Sequence, residues 1–328
     1  MKTRRIGNTE VPAIGLGCMN LSHAYGTPPA AEDAEALLLH ALERGVSHFD
    51  TAALYGFGAN EELVGRVLAP HRERIYLASK CGMTGVGGKR VIDGRPETLR
   101  RTCDEALGRL RTDRIDLYYL HRWDKQVPIE ESVGGLSRLV DEGKVLGIGL
   151  SEVSAATLRR AHAEHRVSAV QSEYSLWTRN PEIAVLDACR ELGVAFVAFS
   201  PLGRGFLSGT MGDVPRLEER DIRRQMPRFE AANFARNRPL LEALQTLAER
   251  AGVTPGQLSL AWLLARDEGI LPIPGTTSIS HLDENLDAQG ATLDAALMAE
   301  LDRLLERHPV AGDRYNAATQ SEIDTEEF

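Results

Sequence analysis

Four residues with the chemistry of a proton-transfer site occur in the first half of the chain: Asp50, Tyr55, Lys80 and His121. A phenol has an ordinary pKa of about 10, so it is a weak proton donor near neutral pH unless its phenolate is stabilised. A lysine ammonium beside Tyr55 would lower that pKa, and the Asp50 carboxylate would hold the lysine charged and in place. With His121 orienting the acceptor oxygen or sharing the proton, this set could protonate a carbonyl oxygen as hydride reaches its carbon.

The sequence around these residues indicates how they would be brought together. Asp50 ends an apolar run, Tyr55 follows it across a turn of small residues, and Lys80 and His121 end two later apolar runs. Each residue alone also has a structural explanation, as a turn residue, a solvated strand end or a satisfied core histidine. Three strands that deliver all four residues to one rim favour a catalytic site.

Apolar segments alternate with amphipathic helical patterns along the whole chain. The predicted strands are 13–18, 46–50, 75–80, 115–121, 145–151, 167–171, 194–200 and 270–274. The predicted helices are 31–44, 60–69, one from Pro96, 129–142, 154–165, one from Pro181, 235–251, 254–267, 281–288 and 293–307. Such alternation predicts an α/β fold with parallel strands and helical crossovers. Eight units favour a closed (β/α)8 TIM barrel over an open doubly wound sheet.

The predicted barrel spans residues 1–328 as a single domain with several additions. Residues 2–12 resemble a hairpin around Gly7-Asn8-Thr9, and 293–307 form an additional C-terminal helix. The arginine-rich stretch 204–234 is a long cofactor-side loop, and loops of this length inside a domain are often lids. The glycine-rich stretch 85–89 reads as a mobile loop.

Strands in the second half end in hydrogen-bonding groups and glycines rather than in acid–base groups. These strand ends are Ser151-Glu152, Gln171, Ser200 and Pro274-Gly275. Because all strand ends of a barrel meet at one rim, the pattern predicts chemistry on one side and a bound cofactor on the other.

Composition excludes several classes of protein. The 328 residues carry a formal net charge of −9, which argues against nucleic acid or an anionic membrane as partner. No apolar run approaches the roughly 18 residues that span a bilayer, and no signal peptide precedes the first strand. The four cysteines form no CxxC pair or zinc spacing, so free thiols in a cytoplasmic protein are expected. Without a clustered His/Cys set or an HExxH motif no metal is expected, and the glycine motifs match neither a Rossmann fingerprint nor a P-loop.

The chain resembles the aldo-keto reductases in five motifs that occur in family order over about residues 3–290. The motifs are Asp50-Thr51-Ala52-x-x-Tyr55-Gly56, Ala78-Ser79-Lys80, Asp116-Leu117-Tyr118-Tyr119-Leu120-His121, Ser200-Pro201-Leu202-Gly203-Arg204-Gly205 and Ile273-Pro274-Gly275-Thr276. Gly149-Leu150-Ser151-Glu152 and Pro227-Arg228-Phe229 are most similar to the bacterial and plant branch once called auxin-induced-like. The resemblance implies an NAD(P)H-dependent enzyme that reduces aldehydes or ketones, or oxidises the matching alcohols.

The resemblance also implies roles for individual residues, with Tyr55 as the general acid of a tetrad completed by Asp50, Lys80 and His121. Ser151 and Gln171 would hold the nicotinamide carboxamide, and Phe199 would lie against the nicotinamide ring. The residues implied in cofactor binding are Met19, Ser151, Glu152, Gln171, Phe199, Ser200, Leu202, Arg204, Gly275, Thr276, Thr277, His281, Glu284 and Asn285.

Two departures from the family pattern concern the cofactor. Glu152 and Phe199 stand where many relatives have Asn and Tyr; Glu152 could still accept from the carboxamide nitrogen. Thr277 and Ser278 follow Pro-Gly-Thr where many relatives carry Arg or Lys, and Asp283 and Glu284 add negative charge. NADP(H) is therefore expected to be preferred by a reduced margin, with NAD(H) possible.

Two rival functions remain open at this stage. One is a cofactor-binding, redox-sensing barrel resembling the regulatory β-subunits of potassium channels. The other is a Schiff-base aldolase using Lys80, which is disfavoured because Asp50 would keep that lysine charged.

The substrate itself is not identified beyond a small carbonyl or alcohol, and the oligomeric state is left open. A largely apolar pocket is expected. The candidate wall residues are Met19, Tyr25, Leu54, Trp123, Tyr174 and Trp177, with core packing as the alternative for the aromatic ones.

Overall fold

The computed structural model describes residues 1–87, 89–211 and 216–328, and a curled sheet of eight parallel strands lies at its centre. The strands of the described chain are β1 Thr3–Ile6, β2 Thr9–Pro12, β3 Leu16–Gly17, β4 His48–Asp50, β5 Tyr76–Cys81, β6 Met83–Val86, β7 Lys89–Ile92, β8 Leu117–Leu120, β9 Ile148–Ser151, β10 Val167–Glu173, β11 Ala195–Phe199 and β12 Ile270–Pro272. The central sheet has the order β12-β11-β10-β9-β8-β5-β4-β3. The amides of Gly15 and Gly17 donate to the carbonyls of Pro272 and Pro274 at 3.1 and 3.3 Å, which joins the first strand to the last. The predicted (β/α)8 barrel is confirmed.

Helices cover the outside of this sheet. They are α1 Ala31–Glu43, α2 Ala59–Leu68, α3 Pro96–Leu110, α4 Ile129–Asp141, α5 Ala155–Glu164, α6 Val185–Leu192, α7 Ala231–Ala251, α8 Pro255–Arg266, α9 Ile279–Asp287, α10 Ala295–Asp302, α11 Leu304–Arg307 and α12 Ala317–Gln320. α3 shows how the sequence specifies them: Pro96 begins it, and Leu99, Cys103, Ala106 and Leu110 are buried at three- and four-residue spacing. The apolar stripe of such a helix packs on the sheet and leaves the polar stripe in water.

The β1–β2 hairpin covers one end of the barrel. Ile6 and Val11 are each 1% exposed and belong to the same apolar cluster as the inward-facing Leu117, Val197 and Leu271. The N-terminal hairpin predicted from the sequence is therefore present, and it fills the end at which the strands begin. A ligand can consequently enter only at the opposite end, where the strands finish and where barrel enzymes hold their reactive groups.

Several boundaries differ from the sequence prediction. Gly85, Val86 and Lys89, in the stretch predicted as a mobile loop, belong to the antiparallel β6–β7 hairpin, and Gly88 lies outside the described residues. Gly85 is required there because a Cβ would lie 2.0 Å from the Phe57 ring. α7 begins at Ala231, four residues before the predicted 235, and the predicted helix 293–307 is divided into α10 and α11.

Two irregular segments lie over the open end of the barrel. The predicted loop 204–234 runs to the start of α7 through 3-10 turns at Ile222–Gln225 and Pro227–Phe229, and its residues 212–215 lie outside the described ones. The segment after α11 returns across the rim, where Tyr315 and Ile323 are each 6% exposed. Within the described ranges no helix has the length and apolar character to cross a membrane.

Candidate active site

A cavity of about 460 Å³ opens at the end of the barrel where the strands finish. This volume lies within the range of small-molecule sites. Asp50, Tyr55 and His121 line it, while Lys80 is fully buried directly behind Tyr55. Adjacent strands carry these residues: β4 ends at Asp50, β5 holds Lys80, and His121 follows β8. The structure therefore brings together all four residues predicted for proton transfer.

Lys80 forms the centre of this group. Its Nζ donates to Asp50 Oδ1, to the Thr51 carbonyl at 2.8 Å and to the Tyr55 hydroxyl at 3.1 Å. Gln171 Nε2 donates to the other Asp50 oxygen at 2.8 Å. All three donor hydrogens of Lys80 are thereby used, which fixes its ammonium beneath the phenol oxygen.

The pKa values of both Tyr55 and Lys80 are raised, so the shift of Tyr55 differs from the lowering expected from the sequence. Burial raises the pKa of Tyr55, and the charge and hydrogen bond of Lys80 act in the opposite direction. Burial alone would lower the pKa of Lys80, but Asp50 and the Tyr55 phenol outweigh it, so the pKa of Lys80 is raised. Near neutral pH Lys80 is therefore an ammonium and Tyr55 a protonated phenol.

His121 lies edge-on to the Tyr55 ring, with ring centroids 5.8 Å apart at an interplanar angle of 85°. Burial, with the positive charges of Arg122, Lys80 and Arg90, holds the pKa of His121 well below its usual range. The imidazole is consequently neutral near pH 7. A neutral imidazole has one N–H, which can donate to an oxygen that also contacts Tyr55.

The residues predicted to bind a cofactor line the same cavity, with one exception. Those that line it are Met19, Ser151, Gln171, Phe199, Ser200, Leu202, Arg204, Gly275, Thr276, Thr277, His281, Glu284 and Asn285. Gly275 lies at the β3–β12 junction, where a Cβ would come within 2.9 Å of the Gly17 carbonyl. Thr276, Thr277 and His281 surround the start of α9, whose N-terminal amides suit an anion.

Glu152 is the exception, and the prediction that its carboxylate receives a cofactor amide is corrected. Its side chain is turned away from the cavity, is buried, and forms an ion pair with Arg314. It also accepts from the Glu173 amide at 2.8 Å. Because Glu152 has a positive φ of 56°, the chain turns sharply directly after Ser151. After that turn the Ser151 side chain lies in the cavity wall, whereas the Glu152 side chain lies against Arg314.

Arg204 lines the cavity but uses its guanidinium elsewhere. Nη2 donates to Glu173 at 2.7 Å and to the Tyr315 hydroxyl at 3.1 Å. The Glu152–Arg314 pair anchors the C-terminal segment to the end of β9, and the hydrogen bond from Arg204 to Tyr315 links the same segment to Glu173 at the end of β10. A role of Arg204 towards a pyrophosphate stays a prediction.

Removing one partner of the buried Glu152–Arg314 pair is expected to destabilise the protein. Arg314→Met should lower the free energy of unfolding by about 3–5 kcal/mol, because the Glu152 carboxylate would stay buried without a counter-charge. Arg250→Met is the matched control, since Arg250 pairs with Glu300 on the surface and exposed pairs contribute about 0–1 kcal/mol. Urea unfolding of both variants measures the difference, and equal losses would show that the buried pair has no special role.

Tyr25, Leu54 and Met19 line the cavity as expected for wall residues, but Trp123, Tyr174 and Trp177 do not. Tyr174 is fully buried against Phe196 and Trp262, outside the barrel interior. Trp177 stacks on Phe206 at 4.4 Å. Trp123 Nε1 donates to the Val127 carbonyl at 2.9 Å. The prediction is therefore wrong for these three, whose large apolar rings are packed in the outer core.

Other cavity residues were not identified from the sequence. They are His23, Arg90, Arg122, Tyr315, Asn316 and Thr319. Of these, Arg122 could have been identified from the sequence, because it directly follows His121 in a motif that ends a predicted strand. Tyr315, Asn316 and Thr319 belong to the returning C-terminal segment, which had no recognisable pattern. In the part of the chain that the structure describes, no group of three or more His, Cys, Asp or Glu side chains could hold a metal ion.

Comparison with known proteins finds relatives that match this chain over nearly its whole length. The model of the aldo/keto reductase family matches residues 13–306. The chain is 45% identical over 308 residues to the probable aldo-keto reductase 1 of Glycine max, covering 93% of this chain and 89% of that protein. It is 44% identical over 329 residues to the aldo-keto reductase yakc of Schizosaccharomyces pombe, whose name specifies NADP(+), covering 98% and 96%.

Solved structures give the same result. A glycerol dehydrogenase of Gluconobacter oxydans superposes with a TM-score of 0.86 at 27% identity, covering 95% of this chain and 97% of that chain. An aldo-keto reductase of Bacillus halodurans in its holo form superposes with a TM-score of 0.79 at 26% identity, covering 97% and 99%. The protein belongs to the aldo-keto reductase family, as the sequence motifs indicated, and is an oxidoreductase of a family that uses nicotinamide cofactors.

Proposed function

We propose that the protein reduces aldehydes or ketones to alcohols with NADPH, or catalyses the reverse reaction, with Tyr55 as general acid. The observation that carries this proposal is the Tyr55 hydroxyl, which faces the cavity while lying 3.1 Å from a fully buried Lys80 ammonium. Such a phenol can give up a proton because its conjugate base is stabilised where it forms.

The residues present fit a nicotinamide cofactor. Phe199 offers a ring face, Ser151 and Gln171 offer polar groups, and the start of α9 offers amides and hydroxyls at the other side of the same cavity. Gln171 Nε2 is held by Asp50, which leaves its carbonyl oxygen available to an amide donor. When bound, the cofactor would supply the hydride that carbonyl reduction requires.

The chain's own residues would handle the proton. The carbonyl oxygen of the substrate would accept hydrogen bonds from the Tyr55 hydroxyl and from the neutral His121, placing it where negative charge develops. The Tyr55 proton would move to that oxygen, and Lys80 would stabilise the resulting phenolate. Asp50 and Gln171 would keep Lys80 in place throughout.

Neither of the rival functions is favoured. Lys80 is 0% exposed and donates to three oxygens, so it is neither accessible nor deprotonated enough to attack a carbonyl carbon as an aldolase lysine must. The complete set of proton-transfer residues does not separate a purely regulatory barrel from an enzyme, but that function is not favoured because the similar proteins are named as reductases and a dehydrogenase.

The panel that tests this proposal contains aldehydes and ketones of different size, assayed for NADPH consumption. The proposal expects turnover of at least one class and competitive inhibition by the corresponding alcohol. Tight NADPH binding without turnover of any carbonyl compound would instead support the regulatory function.

Cofactor preference follows from the residues around the start of α9. No Arg or Lys occurs between Gly275 and Asn285. The two acids there are already engaged, because Asp283 pairs with Arg44 and His40, and Glu284 accepts from Thr254 Oγ1 at 2.5 Å. Hydroxyl groups and helix amides would therefore receive a 2′-phosphate, with the charge of Asp283 offset by Arg44 but that of Glu284 not offset by its neutral Thr254 partner. We infer a preference for NADPH, but a smaller one than an arginine would give.

Thr277→Arg is expected to tighten NADPH binding by about 1–2 kcal/mol, the scale of a hydrogen bond to a charged group, and to leave NADH little changed. Ile279→Arg is the matched control: Ile279 is in the first turn of α9 but is exposed and does not line the cavity. Dissociation constants for both cofactors measure the effect. Equal tightening of NADH and NADPH would mean that residue 277 does not face the 2′-phosphate.

A further inference from the structure

Arg122 is a buried cation beside His121 and Ser151 in the cavity wall, and it lacks a carboxylate partner. It is 9% exposed and lines the cavity directly after His121. Its Nη1 donates to the His121 carbonyl at 2.6 Å and to Ser151 Oγ at 3.3 Å. Its Nε is shielded and bonds to nothing, and over residues 1–87, 89–211 and 216–328 no Asp or Glu oxygen lies within 4.0 Å of the guanidinium.

Among the described residues Arg228 is also held by neutral acceptors, but two other buried arginines of this rim have carboxylate partners. Arg204 is paired with Glu173, and Arg314 with Glu152. A charge removed from water without a counter-charge is costly, so buried cations are normally paired. Neutral acceptors alone offset only part of that cost at Arg122. An anion that enters the cavity would supply the missing partner.

The surroundings of Arg122 strengthen this contrast. Asp50 and Glu284 are the acidic residues among those that line the cavity. Asp50 is already bound by Lys80 and Gln171, and Glu284 lies with the residues at the start of α9. Three further guanidinium groups line the cavity, those of Arg90, Arg204 and Arg223, and they are paired with Glu322, Glu173 and Asp221. The space beside Tyr55 and His121 is therefore positive.

We propose that the substrates of this enzyme carry a carboxylate, which Arg122 binds while the carbonyl group lies at Tyr55 and His121. The inference rests on the proposed function, because the anion must belong to the molecule that is reduced. Aldehyde and keto acids form this class. Carboxylate rather than phosphate is favoured because one carboxylate balances the one guanidinium charge that lacks a partner, whereas a phosphate with nearly two negative charges would leave negative charge unpaired.

A purely structural role gives a different expectation. If Arg122 only braced the His121 carbonyl and Ser151, its loss would disturb the positions of the imidazole and of the cofactor carboxamide. The value of kcat/KM would then fall by the same factor for every substrate. A substrate-binding role affects only molecules that carry the anion.

A matched substrate pair separates the two roles: para-carboxybenzaldehyde and its methyl ester, which differ in charge but present the same aldehyde. Wild-type enzyme should have the higher kcat/KM for the acid. In Arg122→Met the acid-to-ester ratio should fall about 10- to 100-fold, mainly through KM of the acid, since a hydrogen bond to a charged group is worth about 1.5–3 kcal/mol. Arg122→Lys should keep part of the ratio because it keeps the charge.

Arg160→Met is the control for loss of a nearby arginine, because its guanidinium pairs with Glu130 outside the cavity. It should leave the ratio unchanged. Equal losses for acid and ester in Arg122→Met would assign Arg122 a positioning role and overturn the proposal. A wild-type enzyme that reduces the ester as well as the acid would overturn it without any variant.

A binding measurement keeps the inference separate from the reductase proposal. Benzoate should bind the NADP⁺-loaded protein in calorimetry, and Arg122→Met should weaken that binding by about tenfold or more. This result would support the anion site even if no carbonyl compound were turned over, in which case the proposed function alone would fail. Benzoate that binds wild type and Arg122→Met equally, or not at all, would contradict the site.

Discussion

Replacing Tyr55 with phenylalanine is expected to lower kcat for carbonyl reduction by about 10²- to 10⁴-fold, the range for loss of a general acid. The phenyl ring keeps its packing against His121. The hydroxyl that lies 3.1 Å from Lys80 Nζ is lost, so no proton donor remains to stabilise the developing alkoxide. NADPH affinity should change little, because the predicted cofactor contacts involve other residues. Steady-state rates and a fluorescence titration of NADPH measure the two effects.

Tyr118→Phe is the control for this substitution. Tyr118 is fully buried in the outer core and its hydroxyl has no hydrogen-bond partner within the described structure, so removal of that oxygen should leave kcat unchanged. If Tyr55→Phe retained near-wild-type kcat with a good substrate, Tyr55 would not be the donor.

Lys80→Met is expected to shift the pH dependence of both reaction directions. The Lys80 charge opposes the rise that burial causes in the pKa of Tyr55, so its loss should raise that pKa further. Alcohol oxidation needs the phenolate, and its alkaline rise in rate should therefore move to higher pH. At neutral pH the oxidation rate should fall by about 10²-fold or more, since each unit of pKa costs about tenfold in phenolate. Reduction should remain active to higher pH, but at a lower limiting rate.

Asp50→Asn is the companion variant, because it weakens the field on Lys80 without removing the ammonium. The Asp50 carboxylate adds to the rise that burial causes in the pKa of Tyr55, so its neutralisation with the ammonium kept should lower that pKa, a shift opposite in sign to that of Lys80→Met. The pH dependence of kcat, recorded in both directions for the three proteins, measures this. Unchanged profiles in Lys80→Met would show that Lys80 does not tune the donor.

The clustering of Asp50, Tyr55, Lys80 and His121 could be predicted from the sequence because it depends on strand ends. A carboxylate, a lysine and a histidine that end successive apolar runs must meet at one rim once the strands are parallel, and β4, β5 and β8 are indeed neighbours. At these positions the local sequence pattern and the strand topology together determine where each side chain lies. The residues at the start of α9 were instead implied by the resemblance to the aldo-keto reductases.

Other features depend on contacts that no local pattern records. Tyr174 and Trp177 follow β10 directly, yet partners distant in sequence hold both in the outer core. Glu152 is turned from the cavity by its positive φ and by Arg314, 162 residues away in sequence. The C-terminal segment contributes Tyr315 to the cavity although its sequence shows neither helical nor strand periodicity.

The central claim is that this cavity transfers hydride between a nicotinamide cofactor and a carbonyl carbon, with Tyr55 supplying the proton. The most direct measurement uses NADPH deuterated at the hydride-donating carbon of its nicotinamide ring, followed by mass spectrometry of the product. We expect the alcohol to carry deuterium on its carbinol carbon, and expect Tyr55→Phe to form that product at least about 10²-fold more slowly. An alcohol without deuterium from the cofactor, or labelled product formed equally fast by Tyr55→Phe, would contradict the account.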